Sequence, residues 1–116
     1  MKENIIKTKS FIFAIRIVNL NKYLISGKRE FVLSKQLLRS GTAVGAMIRE
    51  SEHAESKQDF IHKFAIAQKE INETIYWLEL LKCTQYINIK EFKSIHKDAL
   101  ELIKMITSIL KTTKLK

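Results

Sequence analysis

Proline is absent from this chain of 116 residues, and glycine occurs only three times. Proline breaks helix interiors, and a glycine there costs about 1 kcal/mol against alanine. Their scarcity permits long uninterrupted helices. Cysteine occurs once, at Cys83. A lone cysteine excludes an intrachain disulfide and a cysteine-based zinc cluster. Cys83 reads as a small apolar filler near a helix end, and a reducing cytoplasm fits. No apolar run approaches the roughly 20 residues that a membrane span needs. The opening Met1-Lys2-Glu3-Asn4-Ile5-Ile6 has no long apolar stretch and no small-residue cleavage site, so no signal peptide is expected. Gly27, Gly41 and Gly45 are isolated, which leaves no glycine-rich phosphate loop. Cys83, His96 and the scattered serines match no spacing of nucleophilic catalysis. The expectation is a non-enzyme with no cofactor and no membrane segment.

What remains is rich in Lys, Leu, Ile, Glu and Ala, mostly good helix formers. The length suits one domain, 1–116, with a single core. The net charge is +9 and unevenly placed. Residues 1–49 hold ten Lys/Arg against two acids, residues 50–82 four against seven, and residues 83–116 seven against three. Such asymmetry speaks of partners rather than fold. A polyanion is the first candidate and an acidic protein surface the second; a merely solvated lysine-rich surface is the plain alternative.

Periodicity predicts four helices, at about 4–26, 29–51, 57–83 and 89–111. In the first, Ile6, Phe13, Ile17, Leu20 and Leu24 recur at threes and fours, and Gly27 offers a stop. In the second, Val32, Leu33, Leu37, Val44, Met47 and Ile48 form a stripe. Gly41, Gly45 and Ala46 give its middle a small-residue surface, suited to close approach by a neighbouring helix; a break at Gly41 competes with that reading. The third opens on Ser56 with Asp59 in the capping-box position. Phe60, Phe64, Ala67, Ile71, Thr74, Leu78 and Leu81 then alternate at fours and threes, a heptad seam. The fourth opens on Asn88 with Glu91 three residues on, and carries Phe92, Ile95, Ala99, Leu102, Ile106 and Ile109. Its basic tail, Lys111 to Lys116, is expected to fray. No strand-like alternation, repeat or low-complexity segment appears. Short links favour antiparallel neighbours, so the fold class is all-α: an antiparallel up-down-up-down four-helix bundle.

One stretch is distinctive. It reads Gln36-Leu37-Leu38-Arg39-Ser40-Gly41-Thr42-Ala43-Val44-Gly45-Ala46-Met47-Ile48-Arg49-Glu50, then Ser56-Lys57-Gln58-Asp59-Phe60, then Lys69-Glu70-Ile71-Asn72-Glu73-Thr74-Ile75-Tyr76-Trp77-Leu78. It resembles the 23S ribosomal RNA intervening-sequence family of four-helix bundles, over roughly residues 30–82. The family's usual asparagine is Met47 here, so any role of that amide lacks its residue. The resemblance implies a homo-oligomer, with a ring-shaped pentamer favoured. It also implies a fold shared with the accessory variability protein of diversity-generating retroelements, a basic pentamer that works with a reverse transcriptase and nucleic acid.

Two spacings invite a metal reading: Glu50 with His53, and Asp59 with His62. Residues three apart share a helix face, and Glu-x-x-His pairs build di-iron sites in bundles. These pairs fall at helix ends, however, and the first helix offers only Glu3, so no metal is expected. The nucleic-acid candidates are Lys22, Lys28, Arg29, Lys35 and Arg39, within a wider basic set of Lys2, Lys7, Lys9, Arg16, Lys111, Lys114 and Lys116. Lysines act as point charges on phosphates. The aromatics sit at apparent core positions, so base stacking is not expected and backbone electrostatics should dominate. Gly41, Gly45, Ala46, Arg49, Glu50, Tyr76 and Trp77 are candidates for helix or subunit contacts. Glu50, Glu52, Glu55, Glu70 and Glu73 could meet basic residues of a neighbouring subunit. The function read from these features is a non-enzymatic, oligomeric, cytoplasmic bundle binding or scaffolding nucleic acid, structured RNA first and DNA second. The alternative is an adaptor docking an acidic protein partner, such as an accessory subunit of a reverse transcriptase.

Overall fold

Four helices follow one another: α1 (Lys2–Ser26), α2 (Leu33–Ser51), α3 (Lys57–Cys83) and α4 (Ile89–Leu115). They belong to a computed structural model that describes the backbone of residues 2–116 and the side chains of residues 5–116. The side chains of Lys2 and Glu3, named above, lie outside the described residues. Cross-links between neighbours run in opposite numerical directions, which makes every adjacent pair antiparallel. Arg16 pairs with Asp98 and Lys9 with Glu101 between α1 and α4. Arg39 pairs with Glu70 and Glu50 with Lys63 between α2 and α3. Gln68 donates to Thr107 between α3 and α4. Each helix packs on the two beside it, in a bundle of 46 × 21 × 20 Å.

The heptad seam of α3 becomes the core. Phe64, Ala67, Ile71, Thr74, Leu78 and Leu81 are buried, and Phe60 packs against them from a half-buried position. Ile6, Phe13, Ile17 and Leu24 enter from α1, Leu37, Val44 and Ile48 from α2, and Phe92, Ile95, Ala99, Leu102 and Ile106 from α4. Full burial of each large apolar side chain stabilises by about 1.5–3 kcal/mol. The one polar pair at the centre is satisfied: the Ser40 and Thr74 hydroxyls lie 2.9 Å apart, and Thr74 donates to the Glu70 carbonyl at 2.7 Å. At the end of the α4 stripe Leu110 is buried and Ile109 only half-buried.

α2 runs unbroken through Gly41. A Cβ there would sit 2.7 Å from Ile17 Cγ1, so glycine is what lets α1 approach at this level. At Gly45 an added Cβ would meet the Ser10 carbonyl oxygen at 3.4 Å, which is ordinary contact. Ala46 lies on the exposed side.

The boundaries depart from the periodic pattern in two places. α2 starts at Leu33 rather than at 29, because Arg29 adopts φ 54° and ends the preceding helix. The Glu30 N–H then reaches back six residues to the Leu24 carbonyl at 2.9 Å, one residue further than a Schellman closure spans. Gly27 has no positive φ, so the expected glycine stop is instead an arginine stop two residues later. α3 also ends on a left-handed non-glycine residue, and here the closure is a Schellman one: Gln85 takes φ 68° and the Tyr86 N–H bonds to the Leu81 carbonyl at 2.9 Å. The second departure is at the C-terminus, where α4 continues to Leu115 instead of fraying from 111. Cys83, expected as an apolar filler, is exposed on the last residue of α3.

Candidate nucleic-acid interface

The antiparallel topology gathers the α1–α2 and α3–α4 loops at one end of the bundle. Four of the five predicted cations arrive there: Lys22 on the last turns of α1, Lys28 and Arg29 in the loop, and Lys35 on the first turn of α2. Lys82, Lys90 and Lys93 join them from α3 and α4, which no local pattern signals. Among the described residues none of these seven takes part in an ion pair.

Three acids share this end, and two of them serve helix N-termini. The Glu30 carboxylate accepts from the Val32, Leu33 and Ser34 N–H groups at 3.2, 3.1 and 2.7 Å. Burial pushes the Glu30 carboxyl up, but these backbone donors outweigh it and hold the group below the ordinary carboxylate range. Glu91 closes the capping box of α4 with Asn88. The third, Glu79, lies 3.9 Å from His96. Of the three acids only Glu30 is buried, while Glu91 and Glu79 stay exposed.

Aromatic side chains lie among these cations, contrary to the expectation that all would be core. Tyr23 is 39% exposed and Phe31 53% exposed. The Lys28 ammonium is 5.9 Å from the Tyr23 ring centroid, and the Arg29 guanidinium 5.9 Å from that of Phe31. Periodicity missed Phe31 because it precedes α2 and faces no neighbour; Val32 beside it is 70% exposed for the same reason.

Arg39 stands apart from this group. Its guanidinium is held by Glu70 at 3.2 Å and by Glu73. Glu73 also accepts from the Trp77 indole N–H at 2.9 Å. Hydrogen bonds from Trp77 and then from Arg39 hold the Glu73 carboxyl below its ordinary range. Arg39, Ser40, Glu70, Glu73, Thr74 and Trp77 thus form one tie across α2 and α3.

The family model described as 23S rRNA-intervening sequence protein matches residues 2–108. The chain belongs to that family. It is also similar to a solved structure from Bacteroides thetaiotaomicron VPI-5482, described as a protein of unknown function from the S23 ribosomal protein family. The two share 56% identity and a TM-score of 0.94, over 96% of this chain and 99% of that one. No curated protein matches.

In this intervening-sequence protein, the stretch that carries the family resemblance includes the α2–α3 tie, whose Arg39, Glu70 and Glu73 are engaged with one another within the chain. The same holds for two acids assigned to a subunit contact: Glu50 binds Lys63 at 3.0 Å, and Glu52 binds Lys7 at 3.1 Å. Glu55 remains exposed. The metal spacings come apart. α2 ends at Ser51, which takes His53 off the helix that bears Glu50. Asp59 accepts from the Glu55 N–H while its own N–H bonds to Ser56. Of the contact candidates, Trp77 is half-buried against the core, Tyr76 is exposed and edge-on to Trp77, and Arg49 lies over Phe11 at 5.0 Å. Apolar surface is concentrated elsewhere: Ile5, Phe11, Ile12 and Ile15 all lie half-exposed on α1. No described helix is long and apolar enough to cross a membrane.

Proposed function

We propose that the protein is a non-catalytic nucleic-acid binder whose contact surface is the end of the bundle carrying Lys22, Lys28, Arg29, Lys35, Lys82, Lys90 and Lys93. The observation that carries this reading is charge availability. All seven cations are without ion pairs among the described residues, while Glu30 and Glu91 at the same end cap helices. A polyanion is the partner that such a surface fits. Structured RNA is the first candidate, in keeping with the family, and DNA the second; the reading places the protein in the cytoplasm.

Self-association is the second part of the proposal. Four half-exposed large apolar residues on α1 are the kind of surface that monomers rarely leave uncovered. A homo-oligomer, the pentamer that the family resemblance implies, would cover this face. It would also repeat the basic end several times around one polyanion, raising weak contacts by multivalency. Light scattering coupled to a salt titration of RNA binding tests both parts. Micromolar or tighter binding near 50 mM salt is expected, with log K falling by about 0.7–0.9 per phosphate contact for each decade of salt. A monomer refutes the assembly. No retention of RNA or DNA at low salt refutes the interface and favours an acidic protein partner.

A further inference from the structure

Tyr23 divides two clefts at the basic end. One, of about 440 Å³, is lined by Tyr23, Lys28, Lys82, Tyr86 and Asn88 among others. The other, of about 630 Å³, runs between α1 and α4 past Arg16, Asn19, Tyr23, Lys90 and Ser94. Both fall in the size range of sites that take small ligands or single residues of a chain, about 300–1,000 Å³. Tyr23 contributes a partly exposed ring to each. Phe31 stands exposed beside Arg29, where the chain enters α2.

Rings of this kind, set among unpaired cations, have a specific use. Bases within a duplex are stacked on one another and offer no face to a protein ring. Unpaired bases do, and stacking on an aromatic side chain combined with ammonium contacts to phosphate is how single strands are held without sequence preference. Lys28 already lies over the Tyr23 ring, and Arg29 over that of Phe31. Each long side chain can turn outward to a phosphate while its neighbouring ring takes the base. A duplex-binding surface needs the cations and has no use for the rings.

We propose that the basic end takes single-stranded nucleic acid, with unpaired bases stacked on Tyr23 and Phe31 and the backbone held by Lys28, Arg29, Lys82 and Lys90. The site deepens the polyanion reading above and rests on it. Stacking on these rings uses only the base face, so single-stranded RNA and DNA share the chemistry.

The test is fluorescence anisotropy on the full chain with three labelled probes: oligo(U), oligo(dT) and a mixed-sequence RNA duplex, each presenting about 15 phosphates per strand. Both single strands should bind more tightly than the duplex, by roughly 10-fold near 50 mM salt. Tyr23→Leu and Phe31→Leu should each weaken single-strand binding by roughly 10-fold, leaving duplex binding unchanged. They should also leave the salt slope as it is, whereas Lys28→Ala should shallow it by about 0.7. Tyr23→Trp should restore affinity and so exclude a folding defect in Tyr23→Leu. Equal affinity for all three probes, with the leucine variants unaffected, overturns the stacking site and leaves the polyanion reading intact. No binding of any probe overturns both. A change in oligomer size on Tyr23→Leu assigns the ring to self-association and also overturns the site.

Discussion

The two ends of the bundle carry the same surplus of formal charge but place their acids differently. The loop end holds seven Lys/Arg against three acids. The end bearing the termini and the 52–56 loop holds nine against five among the described side chains. At the latter, Lys7, Lys9 and Lys63 are joined to Glu52, Glu101 and Glu50 by ion pairs. These pairs lie on the surface, where each stabilises by at most about 1 kcal/mol, but they lower the charge offered to a partner. At the loop end Glu30 and Glu91 turn to backbone N–H groups instead, and the seven cations have no ion pair among the described residues. Net charge alone does not locate an interface; what the opposite charges are bonded to does.

The strongest way to break this contrast is to neutralise the two ends separately. Replacing Lys22, Lys28, Arg29 and Lys35 with Ala should weaken RNA binding by about 100-fold or more and shallow the salt slope by up to about 3. Replacing Lys7, Lys9 and Lys63, the cations held in ion pairs at the other end, should change the slope by less than one contact's worth, about 0.7. Filter binding over a salt series measures both, with circular dichroism to verify helicity. Equal losses from the two sets would mean that the whole surface acts as a diffuse cation cloud.

A smaller effect follows from Glu30. Glu30→Ala should destabilise the fold by about 1–2 kcal/mol, since it removes the acceptor for three α2 N–H groups. Glu55→Ala, at the opposite end, should be near neutral. Because the folded-state pKa of Glu30 lies below its ordinary value, its contribution is present above the ordinary carboxylate range. It is lost as pH falls through the lowered value. Urea unfolding of wild type and Glu30→Gln across acid pH should therefore converge at the lowest pH. A gap that stays constant would mean that the carboxylate is not the cap.

The smallest effect sharpens the loop end alone. Arg29 and Gln85 occupy left-handed positions that glycine takes without strain. Gln85→Gly should stabilise by up to about 1 kcal/mol. Arg29→Gly should do the same while weakening RNA binding, a split visible by comparing urea midpoints with Kd.

Periodicity alone located the core. The α3 seam from Phe64 to Leu81 and the α4 stripe from Phe92 to Ile106 are buried as their spacing requires, because a helix maps threes and fours onto one face. Ser56 and Asn88 marked two helix starts for an equally local reason: a cap reaches only the next three residues. The start of α2 was not legible. Its cap is a glutamate placed before the helix, and its predecessor ends on an arginine in a conformation usually given to glycine.

The amino-acid order thus determined the four helices, their antiparallel sequence and the family, since these depend on local periodicity, short links and an uninterrupted motif. Tertiary structure decided which charges are free. Arg39 looked equivalent to Lys35 until α3 brought Glu70 and Glu73 against it. Lys82 and Lys90 looked unrelated to Lys28 until the α3–α4 loop came to the same end. Tyr23 and Phe31 looked like core until the helices left them uncovered. Each of these outcomes turns on contacts between residues far apart in the chain, and no local pattern encodes the partner of a charge or the neighbour of a ring.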